Sequence, residues 1–523
     1  MLPGPSRTGP EGPPRPYGVT PRVGALPART GRALAQAQNH ALLYGPFPRG
    51  GLERGVSDGT PMLSADPAVR ELAARRIREA GATVARIPVD WRSSVIADPP
   101  AGFDGRDPAS SAYRFAPIDA AVISAESGGL RPLLVVSHAP ALAEAPGRWP
   151  YAYPGSWAPN PTALAEFAAA LARRYDGLFP DAAAPGGMLP RVRLFQAWNE
   201  PNLARYLEPQ WVAQGGRWSA FSPLLYRQML NAFYAGVKSV QPTAEVVAAG
   251  LAPNGDPAGE GRMAPIVFLR RMLCLGAHHG GRTIRIGCAE PPHFDVLSFH
   301  PLSIGSPDRP AAFSLDVAIS DAAKVTRLLG QAERLRTALP LGGKPVWVTE
   351  LNWESAPQAP AGVQPGVQAQ WVSRALHRLW VAGVSLVAWQ FLVDPFPGVR
   401  ASAPTGGAVE YPRPAGLYSA GVDGNPQSAK PKPFLEGFAL PFDPLRVDAA
   451  RVRVWALLTG PRQPALLQRG TAGMRWRTIS KLRADSNGVL NALISLRGTA
   501  RLRLEAGALT SAPQLVSRVG GVL

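Results

Sequence analysis

From residue 41 to residue 391 the chain repeats one unit: a short apolar run, a polar or glycine-marked turn, then a longer stretch with apolar residues at helical spacing. The runs are ALLYG at 41–45, VARIPV at 84–89, PLLVVSH at 132–138, VRLFQAW at 192–198, EVVAAG at 245–250, FDVLSFH at 294–300, PVWVTE at 345–350 and VSLVAWQF at 384–391. Helical spacing marks 71–82, closed by glycine, and 161–175, with a basic pair at its C-terminal end. It also marks segments near 223–240, 317–338 and 367–382. Parallel strands joined by helices bury both faces of a sheet, and eight such strands predict a closed (β/α)₈ barrel in an α/β protein. An open doubly wound sheet would want a GxGxxG phosphate loop after an early strand, and none occurs there.

The rhythm changes after about residue 440. RVRVWALL, LLQRG, WRTISKL, VLNALISL and RLRLEA are short and partly alternating, separated by Gly, Asp and Asn. They predict an antiparallel β-sandwich. At the other end, positions 1–30 hold eight prolines and five glycines, which cannot pack a core. They read as a flexible leader, or as a start placed upstream of the real one. The expected organisation is a leader over 1–35, a catalytic barrel over 36–440 and an accessory sandwich over 441–523.

Composition narrows the partners. A net charge of +18 invites nucleic acid, yet only 18% of the 523 residues are charged and the excess is mostly arginine scattered among Ala, Gly and Pro. No dense basic run with interleaved aromatics occurs, so nucleic acid is not an expected partner. No stretch approaches a membrane span, and the N-terminus lacks a secretory signal pattern. Cys274 and Cys288 are too few for a metal knuckle, although one disulfide across that short loop is open to them. No His, Cys and Asp constellation calls for a metal, and no cofactor is expected.

The strand candidates end in chemically capable groups: His138, Asn199 with Glu200, His300, Glu350, and Trp389 with Gln390. In a barrel those ends converge on one rim, where this fold places chemistry. A lone glutamate at a strand end is ordinarily an ion-pair partner or sits beside a helix cap. Glu200 and Glu350 end the fourth and seventh strands, on opposite sides of the mouth. Two facing carboxyl groups are what glycosidic bond cleavage needs, one protonated for the leaving oxygen and one ionised to attack or to activate water.

WNEPN at 198–202 and WVTELNW at 347–353 resemble the two signatures of the retaining glycoside hydrolase clan built on (β/α)₈ barrels, clan A. The similarity covers about 40–400. It is greatest to the family of β-xylosidases, α-iduronidases and exopolysaccharide endoglycosidases, family 39, or to the neighbouring cellulase-like family 5. The resemblance implies a glycosidase acting by double displacement on an oligo- or polysaccharide or glycoconjugate, with Glu200 as general acid/base and Glu350 as nucleophile. It implies that Asn199 binds the sugar 2-hydroxyl and that Arg86 sits beside the nucleophile; a structural ion pair of Arg86 with Asp90 is the alternative. His300 and His138 are expected to bind sugar hydroxyls or to be structural, and Trp389 to be a stacking platform unless it is core. Trp149, Tyr151, Tyr153 and Trp157 in the third loop are candidate cleft aromatics, or the packing of a long loop.

Three other functions remain open or fall away. A transglycosidase would use the same two glutamates. An inactive carbohydrate-binding barrel would want one carboxylate missing. An esterase would need GxSxG at a strand–turn–helix, which is absent. A carbohydrate substrate favours an extracellular or cell-surface location, and the sequence leaves open whether there is an obligate protein partner.

Overall fold

The computed structural model describes residues 37, 39–277, 283–395, 413–470 and 475–518. The leader expected over 1–35 lies outside them. Eight parallel strands close into a barrel: β1 (Glu53–Ser57), β2 (Val84–Asp90), β3 (Arg131–Ser137), β4 (Leu194–Ala197), β5 (Glu245–Leu251), β6 (Val296–Phe299), β7 (Val346–Leu351) and β8 (Val384–Trp389). Neighbours in sequence are neighbours in space, and β1 meets β8 at the seam, with Gly55 opposite Ala388.

Seven of the eight sequence runs coincide with strands; the first does not. Residues 39–44 are helical, and the chain enters the barrel through Glu53–Ser57 instead. The residues ERGVS lack an apolar run because Arg54, although buried, has its guanidinium bonded to the carbonyls of Phe438 and Ala439. Helices at Ala116–Ser127 and Pro265–Met272 were not expected, and the one expected near 317–338 is confined to Ala323–Arg334. Elsewhere the local signals are ordinary ones. Asn160 caps Pro161–Arg174 by accepting from the amides of Thr162 and Ala163, and a proline at the first turn costs no helical hydrogen bond.

Strand alternation builds the lumen in layers. Val84, Leu133, Leu194, Val247, Val296, Trp347 and Leu386 form one buried apolar cluster, a plug at the lower end. Two residues further along the same strands the inward positions turn polar, as Arg86, Gln196, Ser298 and Thr349, all buried. That polar layer is the floor of the site described below. No described helix is long and apolar enough to cross a membrane.

The C-terminal strands are β9 (Phe442–Arg446), β10 (Arg451–Leu457), β11 (Pro464–Gly470), β12 (Trp476–Arg483), β13 (Val489–Ser495), β14 (Ala500–Ala506), β15 (Leu509–Thr510) and β16 (Gln514–Val516). They form two antiparallel sheets, β9–β10–β13 and β12–β11–β14–β15 with β16 on β14, sharing a separate apolar core. Cys274 and Cys288 are bridged, with Cα atoms 5.9 Å apart, a normal span for a disulfide.

The sandwich is fixed to the barrel helix Pro365–Val381. Asp443 accepts from Arg374 Nε at 2.8 Å and lies 2.7 Å from His377 Nδ1, while Trp455 stacks on the His377 ring at 4.7 Å. Burial alone would raise the Asp443 carboxyl, but Arg374 and His377 outweigh it and hold it at about 2. A depressed carboxyl stabilises the fold above its ordinary pKa of 3.8, and that contribution disappears as pH falls toward 2. Asp443→Asn leaves buried cationic groups short of a partner, so we expect a loss of about 3 kcal/mol in urea unfolding at neutral pH. The deficit should shrink below about pH 3, where the native carboxyl also begins to protonate. A variant with the wild-type midpoint would mean that the network contributes nothing net.

Candidate active site

The polar layer of the lumen converges on Glu350. Arg86, from β2, reaches Glu350 Oε1 with Nη1 at 2.7 Å and is itself held on three other sides. Its Nε donates to Gln196 Oε1 at 3.0 Å, Nη1 also to Ser57 Oγ at 3.0 Å, and Nη2 to Asn199 Oδ1 at 2.6 Å. Asp90 instead caps the short helix Trp91–Ser94 by accepting from the Arg92 amide. The alternative of an Arg86–Asp90 pair is thereby set aside.

Glu200 and Glu350 face one another. His300, at the end of β6 and fully buried, stands between them, with Nδ1 3.0 Å from Glu200 Oε1 and 3.7 Å from Glu350 Oε2. One side-chain donor atom from each of the three lies within 4.8 Å of the others. His300 Nε2 sits 2.9 Å from Thr349 Oγ1, so both ring nitrogens have a polar partner. Two carboxylates and an imidazole are also a chemically sensible donor set for a divalent metal. Here Glu350 already has a guanidinium at 2.7 Å, and a second cation beside it would be repelled.

The two carboxyls differ in surroundings. Burial would push Glu350 up, but His300, Arg86 and hydrogen bonds from Arg86 and Gln390 together hold it below the ordinary carboxylate range. Glu200 is more open than its partner and forms no ion pair with arginine or lysine among the described residues.

The backbone is bent to make this arrangement. Trp198 has φ of 73° and Glu200 of 42°, left-handed values that are unfavourable for side chains with a Cβ. Trp198 is held there by its indole, buried and donating to the Tyr206 carbonyl at 2.8 Å. On the adjoining strand β5, Gly250, whose carbonyl accepts from the Glu200 amide at 3.2 Å, has φ of 64°, and a Cβ there would fall 2.7 Å from Gln196 Nε2 and 3.0 Å from His300 Nε2. Glycine is the residue that lets the Gln196 and His300 side chains occupy that space.

Of the residues singled out from sequence, Glu200, Glu350, Arg86, Asn199 and His300 form one connected cluster. His138 does not join it. Among the described residues no hydrogen bond or ion pair links it to either glutamate; its Nδ1 lies 3.0 Å from Ser137 Oγ and its ring 5.2 Å from that of Tyr206. Burial first, then the charges of Arg205 and Arg92, push it down to about 4, so it is neutral at ordinary pH. Trp149 and Tyr151 are exposed on the third loop, whereas Trp157 is buried with its ring 4.9 Å from that of Trp149. Tyr153 is half-buried, and its carbonyl accepts from Ser156.

Trp389 requires a correction. Expected as a sugar-stacking platform, it is fully buried, ringed by Trp353, Phe434 and Phe438, and its indole donates to the Ala415 carbonyl. Alternation explains this. Leu386 and Ala388 point into the lumen, so Trp389 points away from it, and the next inward position is Gln390. Gln390, a capable strand-end group by sequence but one given no role there, accepts from Asn352 Nδ2 at 2.8 Å and bonds Glu350. Ser57, Gln196 and Thr349 are the groups that sequence reasoning missed. The usable signal was a polar residue at an inward position of an otherwise apolar strand, as in Gln196 of FQAW.

No family model matches the sequence, and no curated protein does. Solved structures similar to it include a family 39 glycoside hydrolase from the gut symbiont Bacteroides cellulosilyticus WH2, at 19% identity and a TM-score of 0.49, covering 86% of this chain and 79% of that one. A GH39 β-xylosidase from Caulobacter crescentus aligns at 13% identity and a TM-score of 0.47, covering 86% and 96% of the two chains. A glucosidase from Croceicoccus marinus aligns at 13% and 0.46, covering 86% and 95%. Identities this low leave the roles of individual residues to be argued from this chain's own side chains.

Proposed function

We propose that the chain is a retaining glycoside hydrolase acting on O-glycosidic bonds of an oligo- or polysaccharide or glycoconjugate. The observation that carries this is the pairing of Glu200 with Glu350, donor atoms within 4.8 Å across the mouth, with a guanidinium committed to Glu350. A retaining pair is spaced by about 5–5.5 Å, and an inverting pair by about 6.5–9.5 Å so that a water fits between. The spacing favours the first.

In the first step Glu350, ionised, attacks the anomeric carbon while Glu200 gives its proton to the departing oxygen, and the glycosidic C–O bond breaks. In the second, Glu200, now a carboxylate, takes a proton from water as that water attacks the same carbon. The ester to Glu350 breaks, and both glutamates return to their starting states. Arg86 keeps the nucleophile charged between turnovers. By engaging Asn199 Oδ1 it also fixes the amide, leaving the Nδ2 hydrogens for a sugar hydroxyl, a contact able to strengthen as the ring flattens. His300 donates to Glu200 once that group has lost its proton.

The test is the stereochemistry of the first-formed product, followed by proton NMR before mutarotation on aryl glycosides that are turned over. Retained configuration supports the proposal, and inverted configuration ends it. Arg86→Ala is expected to raise the pKa of Glu350 because burial is then less opposed. The acid limb of kcat/KM should therefore move to higher pH. An unmoved limb would show that Arg86 does not tune the nucleophile.

A further inference from the structure

The outer sheet of the C-terminal sandwich has two unlike faces. Ala465 and Leu467 on β11 and Ala500, Leu502, Leu504 and Ala506 on β14 are buried in the sandwich core. The alternate residues on those strands face outward, and register places them in rows. Leu466 lies opposite Lys481 and Glu505, Gln468 opposite Thr478 and Arg503, Gly470 opposite Trp476, and Pro464 opposite Arg483, while Arg501 lies opposite Leu515. One outward face thus gathers Lys481, Arg483, Arg501 and Arg503 around a tryptophan, with Glu505 as its acid.

That acid is already engaged, accepting from Gln468 Nε2 at 2.8 Å, while Gln468 Oε1 accepts from Arg503 Nε at 2.7 Å. Among the described residues, Lys481, Arg483 and Arg501 are exposed and form no ion pair. The Trp476 ring lies over Gly470, where a Cβ would meet its six-membered ring at 3.4 Å, and the Arg503 guanidinium is 4.3 Å from the ring centroid. Leu515, 61% exposed, extends the apolar strip. Like charges gathered on one face repel one another and raise the local potential, which draws a polyanion.

We propose that this face binds an anionic glycan, one carrying carboxylate or sulfate groups. The cations take the charged substituents, and the Trp476–Leu515 strip provides apolar surface for the sugar rings. Single-stranded nucleic acid is a poorer fit, since its binding surfaces rely on several aromatic platforms in succession and this face has one indole. That the bound polymer is also what the barrel cleaves rests on the glycosidase reading; the binding itself does not.

The experiment measures binding of the full chain to polygalacturonate, dextran sulfate, neutral dextran and duplex DNA, by titration calorimetry at low and at moderate salt. Wild type is expected to bind polygalacturonate or dextran sulfate, whichever carries the preferred group, at least tenfold more tightly than dextran or DNA, and more weakly as salt rises. Lys481→Ser with Arg501→Ser should weaken that binding at least tenfold, and Trp476→Ala should weaken it measurably. Neither variant should change turnover of a small aryl glycoside. Absence of binding, equal binding of dextran, preference for DNA, or wild-type affinity in the double variant would each overturn the proposal. Failure of the chain to hydrolyse any glycoside would leave the binding result intact and count against the barrel chemistry alone.

Discussion

Glu350→Ala is expected to lower kcat by roughly 10⁴-fold or more, the scale of removing a group that forms the covalent intermediate. No other described side chain can replace it. Glu200 is the other carboxylate within reach, and it stands on the leaving-group side of the proposed reaction. The alanine also leaves space between Arg86 and His300, two groups that favour an anion there. Added azide should enter that space and attack the anomeric carbon directly, giving a glycosyl azide of inverted configuration. Recovery of a retained azide from this variant would place the nucleophile elsewhere.

Glu200→Ala is expected to give the second large effect, and one that depends on the substrate. Glycosides with poor leaving groups should lose roughly 10²- to 10⁴-fold in rate, the worth of a positioned general acid, whereas activated nitrophenyl glycosides should lose far less in the glycosylation step. Azide should rescue this variant by attacking the glycosyl intermediate on Glu350, and the product should have retained configuration. A leaving-group series with uniform losses, together with the same azide anomer from both variants, would show that the roles of WNEPN and WVTE are wrongly divided.

What the sequence disclosed and what it hid have a common physical basis. Glu200, Glu350 and Arg86 were legible because a charge at the edge of a buried strand is costly unless it is used or paired. Gln196, Thr349 and Ser57 do the pairing, yet neutral polar residues in a strand raise no alarm. Their significance appears once folding brings Ser57 and Gln196 to Arg86, 110 residues away in the case of Gln196, and Thr349 to His300. The misplaced first strand is the same effect inverted. Its buried cation is satisfied by backbone carbonyls near the end of the barrel region, so ERGVS reads as polar surface while the nearby ALLYG, which is not in the barrel, reads as a strand. Trp389 shows a different limit. The tryptophan was noticed, but its direction depends on a parity that its neighbours Leu386 and Ala388 already determine.

The seam between β1 and β8 sets an order of events during synthesis. Arg54 in β1 must wait for Phe438, 384 residues later, before its guanidinium has its native acceptors. At about 5–20 residues per second, roughly 20 to 80 seconds pass between the appearance of the two on the ribosome. Until β8 has emerged, for most of that interval, one edge of β1 is unpaired. The early half of the barrel is therefore a nascent open sheet with a buried-type cation on its first strand. A ribosome stalled before residue 384 should display a chain with no closed barrel, readily cut by protease, however well its first strands have formed.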